Sequence, residues 1–172
     1  MGGTLKTVSN WFCRNGPVFR VVLIGEYGAG KTAALYKMYL GELVTSLPTV
    51  GFNMERMQFK NGLFELWDMG GSTYARRLWH HYFQDAAGVV FFIDLSRTDE
   101  DYWRDSRELL EKTMEYKGVK EMPWLMVCNK QDIAKVSVED AVGRHDIQKY
   151  SNVVMKVISA CAITGAGVKE GF

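Results

Sequence analysis

Apolar residues along the chain come in short unbroken runs, and between those runs the spacing of apolar positions turns helical. The first run, Phe19-Arg20-Val21-Val22-Leu23-Ile24, predicts a strand. A glycine-rich turn follows, and then Leu35, Met38, Tyr39 and Leu43 fall at helical spacing. Phe52 to Phe59 and Leu63 to Trp67 flank Asn61-Gly62, the strongest short signal for a hairpin. Gly88-Val89-Val90-Phe91-Phe92-Ile93-Asp94 is continuously apolar up to its last residue, as expected of a parallel strand buried on both faces. Thr98 with Asp101 resembles a capping box and predicts a helix to about Tyr116, with Trp103, Leu110 and Met114 inward. Trp124 to Cys128 is the next strand, Ser137 with Asp140 caps a further helix, and Val153 to Ile158 is the last strand. This alternation predicts a doubly wound, mostly parallel α/β sheet with helices on both faces, spanning residues 18–172.

Residues 1–17 stand apart from that alternation. Leu5, Val8, Trp11 and Phe12 form one helical stripe, flanked by Lys6 and Arg14 and ended by Gly16-Pro17. Two readings stay open here: an amphipathic helix for a membrane interface, or an ordinary helix packed on its own domain. Gly2 is available for N-myristoylation, although Lys6 stands where the usual pattern has Ser or Thr.

Composition narrows the class. The 172 residues suit one domain with a substantial core, and 47% apolar with 24% charged residues is ordinary for a globular protein. A net charge of +1 speaks against a nucleic-acid partner. Cys13, Cys128 and Cys161 show neither metal-ligand spacing nor an even framework, which points to a reducing intracellular compartment. No apolar run reaches the length of a membrane span, and there is no secretory signal pattern at the start.

The chemistry is concentrated at the predicted strand ends. Gly25-Glu26-Tyr27-Gly28-Ala29-Gly30-Lys31-Thr32 has the phosphate-loop spacing G-x-x-x-x-G-K-[ST] between a strand and a helix. Glycines there let successive N–H groups face a phosphate chain, and the following helix adds its positive end. Lys31 is placed to reach the terminal phosphates and the Thr32 hydroxyl to complete a Mg²⁺ shell. Asp68-Met69-Gly70-Gly71 closes the second hairpin strand, with an acidic group for Mg²⁺ and a glycine N–H for the terminal phosphate. Asn129-Lys130-Gln131-Asp132 follows the fifth strand. A carboxylate such as Asp132 accepts two hydrogen bonds from the N1–H and 2-amino group of guanine, whereas adenine has no donors there. Asn129 is expected to brace the loops, the Lys130 stem to lie along the base, and the Ala162 N–H to meet the guanine O6. The adjacent histidines His80 and His81, within an aromatic stretch, read as a surface or half-buried pair rather than a metal site, because neighbouring helical positions do not face each other.

With these residues on the page, the chain resembles the Arf/Arl (ADP-ribosylation factor-like) small GTPases over nearly all of residues 18–172. The marks are Pro48-Thr49-Val50-Gly51-Phe52, Trp67-Asp68-Met69-Gly70-Gly71, Leu78-Trp79-His80-His81-Tyr82-Phe83, Asn129-Lys130-Gln131-Asp132 and Cys161-Ala162. The resemblance implies a GDP/GTP switch with Mg²⁺, in which Thr49 and Gly71 report the γ-phosphate. It implies a hairpin that slides by two residues between nucleotide states, a step that preserves which side chains face the core. Phe52, Trp67 and Tyr82 are then an aromatic effector surface, an exchange factor and a GTPase-activating protein are expected partners, and the N-terminal helix holds the protein on an intracellular membrane such as Golgi or other endomembrane. The candidate nucleotide contacts are Gly25, Tyr27, Gly28, Ala29, Gly30, Lys31, Thr32, Ala33, Thr49, Gly71, Asn129, Lys130, Asp132, Cys161 and Ala162. Mg²⁺ falls to Thr32, Thr49 and Asp68, and catalysis to Lys31, Gly71 and Ser72.

The chain departs from the pattern at three places. Ser72 stands where the family usually has a glutamine that orients the attacking water, so slow or absent hydrolysis is expected. Tyr27 stands where a small acidic residue is common, and its ring is expected either to crowd the γ-phosphate or to cover the phosphates. Gly165 to Phe172 reads as the start of a C-terminal helix that family members continue, which suggests a trimmed chain. A non-cycling scaffold, GTP-bound or nucleotide-free, is the alternative function. An ATP-dependent kinase is the third reading, and it has no use for Asn129-Lys130-Gln131-Asp132.

Overall fold

The computed structural model describes residues 17–44, 47–60 and 62–168. The helix, acylation and membrane expectations for residues 1–16, the turn residue Asn61 and the last four residues lie outside them. Among the described residues six strands form one sheet in the order β2-β3-β1-β4-β5-β6. They are β1 (Val18–Gly25), β2 (Phe52–Phe59), β3 (Gly62–Met69), β4 (Gly88–Asp94), β5 (Trp124–Asn129) and β6 (Met155–Ser159). Among the described residues only the β2–β3 pair is antiparallel. The helices are α1 (Lys31–Leu40), α2 (Thr73–Arg76), α3 (His80–Phe83), α4 (Glu100–Met114) and α5 (Val138–Arg144).

Strict alternation along the central strands sorts the core into two layers. Val22, Ile24, Val89, Phe91, Ile93, Trp124 and Met126 face one side, where Trp79, Phe83 and the inward face of α4 (Trp103, Leu110, Met114) cover them. Val21, Leu23, Val90, Phe92, Leu125 and Val127 face the other side, packed on Ala34, Leu35 and Met38 of α1. A strand covered on both faces has no use for polar positions, which is why β4 and β5 are buried throughout. At the amino-terminal ends of β1, β3, β4, β5 and β6 the described residues leave an apolar cleft of about 520 Å³, lined by Phe19, Phe64, Leu125 and Met155 among others.

Several predicted details shift. Helix α1 stops at Leu40 with Gly41 in the left-handed region, so Leu43, which fits the helical spacing, lies beyond the helix, and Tyr39 within it is exposed. Gly62 pairs with Phe59 as the first residue of β3, so it belongs to the strand and not to the turn. Helix α4 is capped by Asp99, whose carboxylate accepts from Tyr102 N at 3.0 Å, one residue after the expected Thr98; an acidic cap also suits the positive end of the helix. The cap at Ser137 is found, accepting from Asp140 N at 3.0 Å. The last strand begins at Met155, two residues late, because 147–150 form a 3₁₀ turn before it. Residues 161–168 form turns, and Val168 tucks into the α1-side core. His80 and His81 are exposed as expected, but their rings lie 3.8 Å apart, so the adjacent side chains do meet.

Candidate functional site

The carboxyl ends of β1, β3, β5 and β6 open on one cleft of about 350 Å³, within the range of small-ligand sites. At its floor Lys31, the first residue of α1, is buried and donates from Nζ to the carbonyl oxygens of Gly25 and Glu26, both at 3.1 Å. Burial lowers its pKa to about 8, against the opposing pull of Asp68. Gly30 comes too close to Asn129 for any side chain, since a Cβ would lie 2.3 Å from its Nδ2.

Beside the lysine, three oxygen donors converge. Asp68 Oδ2 accepts from Thr32 Oγ1 at 2.5 Å, from Thr49 Oγ1 at 3.4 Å and from Asn53 Nδ2 at 3.1 Å, and the two threonine hydroxyls are 3.0 Å apart. Asp68 Oδ1 is buried and has no hydrogen-bond partner among the described residues. Burial raises the Asp68 pKa, because the charged form lacks solvent. An all-oxygen set of two hydroxyls and a carboxylate with an orphaned oxygen fits Mg²⁺. That ion would neutralise phosphate charge next to Lys31.

At the other end Asn129 ties three segments together. Its Nδ2 donates to Ala29 O at 2.9 Å, and its Oδ1 accepts from Ala162 N at 2.9 Å. The Ala162 N–H, expected to meet a base, is therefore already engaged by Asn129. Lys130 has a left-handed backbone and donates from Nζ to Asp94 Oδ2 at 2.6 Å. Asp132 is exposed at the cleft, with Cys161 Sγ 3.2 Å from its Oδ1.

Of the expected contact residues, Tyr27, Gly28, Gly30, Lys31, Thr32, Ala33, Thr49, Gly71, Asn129, Lys130, Asp132 and Ala162 line the cleft. Gly25, Ala29 and Cys161 do not. Gly25 is packed on the backbone of Phe92, Ala29 is buried behind the loop as the acceptor for Asn129, and Cys161 sits buried beneath Asp132. The Tyr27 ring is 61% exposed at the rim. Ser72 also lies off the cleft: its hydroxyl caps α2, accepting from Ala75 N at 3.3 Å.

Other residues of the site carry weak or no sequence signals. Asn53 stands directly opposite Asp68 in the hairpin register, so the register alone locates it. Leu47 and Ile163 on loops, and Ile133 at the end of the short 3₁₀ turn 131–133, are apolar walls that no periodicity marks. Arg76 donates from Nε to Gly71 O at 2.8 Å and pairs through Nη2 with Glu26, a contact across fifty residues. Trp79 Nε1 donates to Gly70 O at 3.1 Å and pins the same strand end from below.

A six-stranded sheet of this order, with a phosphate loop after β1 and the ends of β3, β5 and β6 around one cleft, is the fold of the P-loop small GTPases. The structure of the Arl6 BBS3 small GTPase from Trypanosoma brucei with bound GppNp matches it with a TM-score of 0.78 and 24% identity, covering 91% of this chain and 94% of that one. The model of the ADP-ribosylation factor family matches residues 5–172, and the chain belongs to that family. It is thereby a GTP-binding switch protein by class, and proteins of this type bind GTP or GDP, typically with Mg²⁺.

Proposed function

We propose that the protein is a guanine-nucleotide switch that recruits effectors at an intracellular membrane in vesicle or organelle trafficking, with weak intrinsic hydrolysis. The observation that carries this reading is the convergence of two groups on one cleft: Lys31, Thr32 and Thr49 at one end, Asn129, Lys130 and Asp132 at the other. The first group suits phosphates and Mg²⁺, and the second suits a base that offers two adjacent donors to a carboxylate. Thr49 and Gly71 then sense the γ-phosphate.

The effector role is supported by an aromatic cluster on the hairpin and α3. Phe52 stacks on Trp67 at 4.9 Å between centroids, and Tyr82 lies 5.2 Å from Phe52 and 5.5 Å from Trp67. Phe52 is half-exposed on the edge strand β2. Sliding of the hairpin by two residues would keep the inward set inward while moving this cluster. Membrane residence, in a cytoplasmic and peripherally bound protein, is assigned to residues 1–17 on the strength of their apolar sequence stripe, Leu5, Val8, Trp11 and Phe12, with the basic flanks Lys6 and Arg14. An exchange factor and a GTPase-activating protein complete the set of partners.

A second reading, the non-cycling scaffold, draws support from Ser72, whose hydroxyl is engaged as a helix cap. Analysis of the nucleotide released on denaturing the purified protein separates the readings. GDP is expected from a hydrolysing switch, GTP from an impaired one, and neither from a nucleotide-free scaffold, an outcome that overturns the proposal.

A further inference from the structure

We propose that Asp94 is a positioning residue for the nucleotide base, tethering Lys130 along the wall of the cleft before a ligand arrives. This role rests on the reading above, in which the base lies along the Lys130 stem.

Asp94 ends a strand that is otherwise apolar. All of β4 is buried, and the Asp94 side chain is only 6% exposed. A carboxylate at that depth is costly unless it is paired and hydrogen-bonded. Both of its oxygens are engaged. Oδ1 accepts from Ser96 N at 2.9 Å and from Ser96 Oγ at 2.6 Å, and Oδ2 accepts from Lys130 Nζ at 2.6 Å. The Asp94 backbone N–H donates to the Tyr102 hydroxyl of α4 at 2.8 Å. The carboxylate is thus fixed by its own surroundings, and the lysine is the partner that it orders.

Strand register brings the two together. Asp94 stands opposite Asn129 in the parallel β4–β5 pair, and Leu95 N donates to Asn129 O at 3.1 Å. The ladder therefore runs up to the residue before Lys130. Lys130 then leaves the strand at φ 66°, a left-handed backbone that few side chains adopt. Its backbone is held by that turn and its ammonium by Asp94, and the stem between them lines the cleft.

An untethered lysine has rotamer freedom that a bound base would have to remove. Held beforehand, the stem offers the base an apolar wall at no further ordering cost. Asp94 acts through Lys130 and not by touching the ligand, because it is not among the residues that line the cleft.

Dissociation constants of GDP and of a non-hydrolysable GTP analogue, both with Mg²⁺, test this for the full chain, Asp94→Asn, Lys130→Met and the double variant. Asp94→Asn is expected to weaken both nucleotides by about threefold to tenfold, the scale of ordering one long side chain. Lys130→Met keeps an apolar stem without the tethered ammonium, so adding Asp94→Asn to it should change neither constant by more than about 1.5-fold. Tyr102→Phe removes the bond from α4 and leaves the Lys130 contact, so both constants should stay within about twofold of wild type. The tether is overturned by the same loss with and without Lys130, by a loss confined to the triphosphate, or by an equal loss in Tyr102→Phe. If Asp94→Asn does not fold, Asp94→Glu, which moves the anion by one methylene, replaces it with the same expected pattern. A wild-type chain that binds neither nucleotide overturns the tether together with the reading beneath it. Nucleotide bound equally well by wild type and Asp94→Asn overturns the tether alone.

Discussion

Asn129 Nδ2 donates to the carbonyl oxygen of Ala29 at 2.9 Å, joining residues one hundred positions apart. Its other amide atom accepts from Ala162 N, also at 2.9 Å, and the side chain is buried. Asn129→Ala leaves a buried carbonyl and a buried N–H without partners, each costing about 1–3 kcal/mol. The expected loss is about 2–5 kcal/mol, read as a Tm lower by roughly 5–15 °C, together with loss of co-purified nucleotide. A Tm within about 2 °C of wild type would contradict the brace.

Asp132 tests the identity of the base. Its carboxylate lies exposed at the cleft beside Cys161. Asp132→Asn turns one acceptor into a donor, so guanine should bind on the order of 10²-fold more weakly, and a base with a carbonyl at position 2, xanthine, should gain. Competition between GDP and xanthosine diphosphate checks this. Unchanged guanine preference would sink the assignment.

His145 gives a pH dependence. It is buried between α4 and α5, with Nε2 2.9 Å from Ser106 Oγ and Nδ1 2.8 Å from Ala141 O. Burial lowers its pKa to about 4. The unfolded chain, near the ordinary value of about 6.5, takes up a proton that the folded chain refuses over this interval. The stability from neutral His145 is therefore complete above about pH 6.5 and is lost as pH falls towards 4. Urea unfolding should show a loss of about 2 kcal/mol between pH 7 and 5, absent in His145→Asn.

Ser72 separates a helix cap from a catalytic role. Its hydroxyl accepts from Ala75 N, so Ser72→Ala should cost about 1 kcal/mol of local stability and leave GTP cleavage unchanged. Ser72→Gln should raise single-turnover cleavage by on the order of 10²–10³, the scale of one pre-organised polar group in a transition state. An unaltered rate would mean that the missing glutamine is not what slows the chain.

The sheet was legible because each central strand is an unbroken apolar run, and the phosphate loop because its glycines, lysine and threonine are contiguous. Asn129 to Asp132 was legible for the same reason. What escaped was decided by distance in space. Glu26 and Arg76 each look like surface charges in sequence, and only the approach of α2 to the loop pairs them. Lys130 finds Asp94 across two strand ends in the same way. The Thr98 cap failed because the next residue, Asp99, offers an equally good oxygen one position closer to the helix. Leu43 fits the periodicity of α1, yet Gly41 had already turned the chain.

The parallel pairing of β1 with β3 brings Leu23 opposite Asp68. The segment enclosed between them contains the phosphate loop, all of α1, Thr49 and the strand β2. That side of the sheet therefore closes only when the donors for phosphate and metal are gathered, and filling the cleft and completing β1–β3 become a single cooperative event. Backbone amides of β2 and β3 should exchange with solvent much faster in the emptied protein, while those of β4 and β5, held by two buried faces, change little.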